Sequence, residues 1–187
     1  EGHSISLGVR KKDRLIGTPL DPKRNNPAKF ILHTYDSSDN SSSKKWVERT
    51  IKTFNNIDTL IHCAGIFKRT NLIFDDTEMN DIKDLWQINV MAPWILTKES
   101  WEYLSSSNSA RIIVLVSMSG KRSKANFAGY SMSKFALMSL CQTMRNEGWD
   151  KGIRVTAICP GWVNTDMAQN ITHFPKDDMT QTKDIAN

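Results

Sequence analysis

The sequence predicts an α/β fold, a doubly wound parallel sheet, and two observations carry that expectation. Short apolar runs of strand length alternate with longer helical patterns along nearly the whole chain. A serine, Ser117, closes one of those runs, and Tyr130 and Lys134 follow one helical turn apart. In open α/β sheets ligands bind outside the carboxyl ends of the strands, where Ser117 falls.

Taken in order, the strand candidates are residues 4–9, 29–34, 57–62, 111–117 and 153–159. Residues 1–3 read as the end of a helix running into the first strand. Between the first two strands, Pro19, Pro22 and Pro27 predict an irregular exposed connection, because proline removes a backbone donor and clashes inside a helix. Residues 43–54 form an amphipathic helix with Val47, Ile51 and Phe54 on one stripe. Residues 77–104 read as a long helical segment with a kink or break near Asn89 to Pro93. Residues 130–147 are the second long helix, with Gly148 in the usual stop position.

One globular domain over residues 1–187 fits the length, and 39% hydrophobic with 24% charged residues is ordinary for a soluble protein. No apolar run approaches the ~18 residues that span a bilayer, and no signal-peptide pattern appears. Cys63, Cys141 and Cys159 are odd in number and set in apolar runs, which predicts reduced, mostly buried thiols in a cytoplasmic protein and no metal site. The net charge is +5, with a basic cluster at Arg10, Lys11, Lys12 and Arg14. Interspersed acids and the lack of an aromatic–basic platform argue against nucleic-acid binding.

If Tyr130 to Lys134 is helical, an ammonium sits beside a phenol. Moving a tyrosine from about 10 to about 7 takes roughly 4 kcal/mol. A unit charge about 4 Å away supplies that much at an effective dielectric near 20. Such a pair can give and take a proton near neutral pH. An amphipathic helix with a surface lysine is the alternative reading, since the pair alone is a weak motif.

These residues, with others in the same order, make the chain similar to the short-chain dehydrogenase/reductase family. Ser117, Tyr130 and Lys134 match the family's catalytic serine, tyrosine and lysine, and Asn89 its active-site asparagine. Asp36 stands where the family places an aspartate beside the adenine. Cys63-Ala64-Gly65 replaces the usual Asn-Asn-Ala-Gly, which puts one ribose contact in doubt while leaving the backbone of Ala64 and Gly65 available. Pro160, Gly161, Val163 and Thr165 match the element that lies against the nicotinamide. The family's opening strand and glycine-rich loop are absent from this sequence, as are its last helix and strand. The resemblance therefore implies a Rossmann-like sheet that is incomplete, with a central strand expected ahead of residue 1. Two strands of the sheet would then lack a neighbour.

The resemblance implies hydride transfer between a nicotinamide and a small-molecule carbonyl or alcohol. Tyr130 would act as acid or base, Lys134 would tune it and hold the nicotinamide ribose, and Ser117 would hold the substrate oxygen. Asn89 would position a proton-relaying water. Asn89 as a helix kink or cap, and Ser119 in place of Ser117, stay open as alternatives. Phe127 and Trp162 fit either a substrate mouth or plain packing, and His62 reads as a strand-end histidine. The first strand runs into Arg10 without an acid, which favours a 2′-phosphate contact through Arg10, helped by Lys11, and hence NADP(H). A solvated basic turn is the alternative. A homodimer or homotetramer is expected through the two long helices. A non-catalytic dinucleotide binder, and a fragment that binds no cofactor, are the rival readings.

Overall fold

The computed structural model describes residues 2–172 and 174–186. Five parallel strands form two ladders. In the first, β1 (Ile5–Val9) pairs with β2 (Phe30–Thr34), with Leu7 opposite Leu32. In the second, β3 (Thr59–His62), β4 (Arg111–Leu115) and β5 (Arg154–Ile158) lie in the order β3-β4-β5, Ile61 opposite Ile113 and Ile113 opposite Thr156. Among the described residues no ladder joins β1 to β3. The sheet is Rossmann-like and incomplete, in pieces of two and three strands.

Each strand lies within its expected run and is one or two residues shorter than it. The proline-rich connection between β1 and β2 holds only two short 3₁₀ turns, Lys12–Leu15 and Pro22–Arg24. Glu1, expected at a helix end, lies outside the described residues, and Gly2 to Ser4 carry no regular structure.

Helix α1 (Asn40–Phe54) starts where the Asp39 carboxylate accepts a hydrogen bond from the Ser41 amide at 2.9 Å. It ends at Asn55, whose φ of 60° lies in the left-handed region. Trp46 fixes this helix to β1. Its indole N–H donates to Ser6 Oγ at 2.8 Å, and a Cβ on Gly8 would stand 2.8 Å from its ring.

The long helical segment is α2 (Glu78–Trp86) and α3 (Ala92–Ser105), joined by a π-helical turn at Gln87–Met91. Ala92 N–H bonds back to Gln87 C=O, five residues away. Pro93 has no N–H to return to the Asn89 carbonyl, so the regular ladder cannot pass through this point. The expected kink is thus a π turn, and it carries Asn89 and Val90 into the interior.

Helix α4 (Ala128–Gly148) begins two residues ahead of Tyr130. Its Gly129 amide donates to Thr70 Oγ1 at 2.7 Å, so a residue from the β3–α2 loop satisfies a free helix donor. Gly148 does not stop the chain in the expected way. Its φ is −95°, a 3₁₀ turn (Trp149–Lys151) follows, and Gly152 at φ 77° makes the left-handed step. A short α5 (Thr182–Ala186) lies near the end.

The core joins alternate residues of the second ladder to the long helices. Leu60, Ile112 and Val114 meet Val47 of α1, Leu96 and Leu104 of α3, and Leu137 of α4. The intervening residues face the other way, where Ile61 is half exposed. His62 is buried on the helix side, with Nε2 3.0 Å from Thr97 Oγ1. That agrees with a strand-end histidine packed in the sheet.

Burial lowers the His62 pKa from the ordinary value to about 4. An unfolded chain takes up this proton near pH 6.5. Between those values the unfolded state binds more protons, so stability is full above about 6.5 and falls as pH drops towards about 4. The loss should be on the order of 3 kcal/mol. His62→Gln, which keeps a polar partner for Thr97, should flatten that part of the profile in urea titrations of the intact gene product at pH 7 and 4.5. Identical slopes for both proteins would refute the assignment.

Candidate active site

Three strand ends and one helix start converge on a cavity of about 460 Å³. The exit of β3 contributes Cys63, Gly65, Ile66 and Phe67 to its lining. The β4 end gives Ser117 and Ser119, the first turns of α4 give Tyr130 and Lys134, and the β5 end gives Pro160, Gly161, Val163 and Thr165. Parallel strands put all their carboxyl ends on one side, so residues more than fifty positions apart in sequence share one pocket.

Ser117 stands at φ 139°, a backbone conformation costly for a residue with a side chain. Flanking bonds hold it there: Val116 N–H to Ile158 C=O at 2.8 Å and Met118 N–H to Pro160 C=O at 2.9 Å. Its Oγ accepts from Ser119 N–H at 3.1 Å. Ser119 thus supports Ser117 through its backbone while lining the same cavity.

Asn89 lies behind the lining, buried. Its Oδ1 accepts from Ile66 N–H at 2.9 Å, and its Nδ2 donates to Ile66 C=O at 3.0 Å and to Ser133 Oγ at 3.0 Å. Ser133 Oγ in turn donates to Tyr130 C=O at 2.8 Å. The π turn therefore ties the β3 exit loop to the first turn of α4. Gly65 lies over this junction: a Cβ there would stand 3.3 Å from Asn89 Oδ1 and 3.6 Å from Lys134 Nζ.

Lys134 is buried and donates to Leu115 C=O at 3.2 Å. Desolvation brings its pKa down to about 8. Tyr130 moves the opposite way. Burial raises the phenol above its ordinary value, and a hydrogen bond with Ser117 only partly opposes that. The lysine charge lies 5.8 Å from the tyrosine ring centre. The expected lowering of Tyr130 by Lys134 is thus not what this structure shows, because burial penalises the charged form of each group.

An aromatic wall stands beside the phenol. Phe67 packs edge-on to Tyr130 at 4.9 Å and to Phe127 at 5.0 Å, and Trp162 closes the group at 6.3 Å from Phe127. Phe67 went unmarked in the sequence, though its place four residues after Cys63 at a strand exit was a usable signal.

Arg10 and Asp36 lie elsewhere, beyond the ends of β1 and β2, and neither lines this cavity. Arg10 is exposed. Hydrogen bonds from the Ser38 amide and hydroxyl hold Asp36 below the usual carboxylate range, with a smaller contribution from the Arg10 charge. Ala64 lies between two lining residues without lining the cavity itself. The three cysteines are free, and Cys63 is exposed at the cavity edge, where the chain leaves β3. Among the described residues no helix is long and apolar enough to cross a membrane.

A profile of the family described as short chain dehydrogenase matches residues 1–176. The chain belongs to that family. Among curated short-chain dehydrogenase relatives, agropine synthesis reductase from Rhizobium rhizogenes is 36% identical over all of this chain. The chain spans 42% of that relative's length. A 29% match covers 89% of the chain and 53% of an 11-beta-hydroxysteroid dehydrogenase-like protein from Arabidopsis thaliana. Among solved structures, an alcohol dehydrogenase from Thermococcus sibiricus, complexed with 5-hydroxy-NADP, superimposes with a TM-score of 0.85. That likeness covers 99% of this chain and 77% of the other, at 22% identity, and shows the short-chain dehydrogenase fold.

Two glycines separate packing from access. A Cβ on Gly120 would lie 2.6 Å from Val116 Cγ1 and 2.7 Å from the Lys134 carbonyl oxygen. At Gly161 no atom stands within 4 Å of that position. Gly120→Ala should cost roughly 1–3 kcal/mol in urea unfolding, whereas Gly161→Ala should stay within about 0.5 kcal/mol of the parent. Equal effects would show that the contact at Gly120 relaxes freely.

Proposed function

We propose that the intact gene product is an NADP(H)-dependent oxidoreductase that interconverts a carbonyl and an alcohol, using Ser117, Tyr130, Lys134 and Asn89. The observation that carries this reading is the convergence on one cavity of the Tyr130 phenol, the Ser117 hydroxyl and the buried Lys134 ammonium.

The residues fit a nicotinamide dinucleotide. Gly161 leaves open space over the cavity floor, and Gly65 keeps the β3 exit close to Asn89 and Lys134. Lys134 has one acceptor among the described residues, Leu115 C=O, which leaves its remaining N–H donors for ribose hydroxyls. Bound there, the dinucleotide supplies or accepts the hydride. Pro160, Gly161, Val163 and Thr165 would hold its nicotinamide end, with the backbone near Cys63, Ala64 and Gly65 alongside.

In reduction, Ser117 Oγ holds the substrate oxygen and Tyr130 donates its proton to it as the carbonyl carbon is reduced. The Lys134 charge stabilises the phenolate left behind. Asn89 acts at one remove, by fixing the loop and the helix turn between which these groups meet. A phenol whose pKa burial raises suits the acid role that reduction requires.

Tyr130→Phe keeps the ring and removes the transferable proton, so turnover of any accepted carbonyl should fall by about 100-fold or more while dinucleotide affinity is largely kept. Lys134→Met should damage both turnover and affinity. Near-parental turnover for Tyr130→Phe in steady-state assays would sink the proposed role.

The cofactor preference rests on Arg10. It stands just past the carboxyl end of β1, a strand that ends without an acid, at the position that faces the adenosine ribose in this kind of fold. A guanidinium pairs with a phosphate through two parallel hydrogen bonds, and Lys11 adds charge beside it. Arg10→Ala should weaken NADP(H) at least about tenfold more than NAD(H) in fluorescence titrations. Equal losses for both would mean that Arg10 does not read the phosphate.

A further inference from the structure

The cavity carries a charge pattern that hydride transfer alone does not require. Besides Lys134, two cations line it, Arg122 and Lys124, and no aspartate or glutamate does. Both come from the segment between Ser117 and Tyr130, the two residues that would hold the reacting oxygen.

That segment is built, not loose. Lys121 and Arg122 amides both donate to Met118 C=O at 3.0 Å. Phe127 N–H closes a turn on Lys124 C=O at 3.3 Å, and Asn126 C=O accepts from Thr70 N–H at 3.1 Å. A parallel bridge between Thr70 and Phe127 pins its far end to the β3 exit loop. The Lys124 ammonium rests over the Trp162 ring, 5.8 Å from its centre. Among the described residues, neither Arg122 nor Lys124 has a carboxylate within ion-pair distance. The acid next to the lining, Asp166, pairs instead with Arg14 at 3.9 Å.

We infer that the substrate of this site is an anion, a carbonyl or alcohol compound bearing a carboxylate that Arg122 and Lys124 receive while Phe67, Phe127 and Trp162 enclose the carbon between the two ends. The inference rests on the oxidoreductase reading and adds the substrate's charge to it. A guanidinium matches a carboxylate with two parallel hydrogen bonds, and the ammonium adds charge without fixing direction. Fixed charges at the rim also raise the encounter rate of an oppositely charged substrate, an effect that salt screens.

The test uses matched pairs that differ only in charge: levulinate and benzoylpropionate, each beside its methyl ester. With NADPH and the intact gene product, kcat/KM for each acid should exceed that of its ester by about tenfold, the scale expected of two rim cations. The ratio should fall towards one in the double variant Arg122→Gln/Lys124→Gln, and it should shrink as salt is raised. Calorimetry on the same pairs reads binding without turnover. Equal values for acid and ester overturn the anion inference and leave the oxidoreductase reading intact. Acid-selective binding with no turnover of any compound counts against hydride transfer and leaves the anion site standing. A loss of NADPH affinity in the double variant with the acid preference unchanged would assign the two cations to the cofactor and overturn the inference.

Discussion

The arrangement of the site depends on one buried amide. Asn89 uses its carboxamide oxygen and nitrogen to satisfy both backbone groups of Ile66 and still reaches Ser133. A loop and a helix that share no covalent neighbourhood are locked in register by that side chain. Such a buried donor–acceptor set is worth most when complete, because each group left unpaired in the interior costs about 1–3 kcal/mol. The π turn is what makes the reach possible. It rotates Asn89 inward at the point where Pro93 has already broken the helical ladder.

Burial then sets the electrostatics. A tyrosine and a lysine one turn apart suggest mutual stabilisation of their charged forms when read as letters. Packed into a pocket walled by Phe67 and Phe127, both are instead pushed towards neutrality, the phenol upward and the ammonium down to about 8. Desolvation scales with the number of atoms that exclude water, and no pairwise spacing carries that information.

The strands were legible because Ile112, Val114 and their counterparts form apolar runs too short for anything else, and the β1–β2 connection was legible from its prolines. The π turn was visible only as a break, since Pro93 announces a disrupted ladder without saying how the chain repairs it. The hold of Asn89 on Ile66 left no trace, for it joins a side chain to a backbone, and any residue type can offer a backbone. Gly148 misled for a related reason. A glycine permits a left-handed step without compelling one, and Gly152 takes it. For the candidate site, the spacing of Ser117, Tyr130 and Lys134 drew attention first, and the family resemblance added the 160–165 segment. Phe67 and the cations of the 117–127 segment have no periodicity to mark them.

The separation of Arg10 and Asp36 from the cavity residues within the fold has a consequence for how such a protein changes over time. Arg10 and Asp36 sit on the piece made by β1 and β2, while Ser117, Tyr130 and Lys134 sit on the piece made by β3, β4 and β5 together with α4. Helix α1 links the two pieces, with Trp46 bonded to Ser6 of β1 and Val47 packed in the core with Ile112 of β4. A substitution in the exposed turn after β1 still changes no residue that lines the cavity around the phenol. On the proposed reading, preference for a dinucleotide and preference for a substrate rest on different residues of one domain, and selection can act on each set by itself.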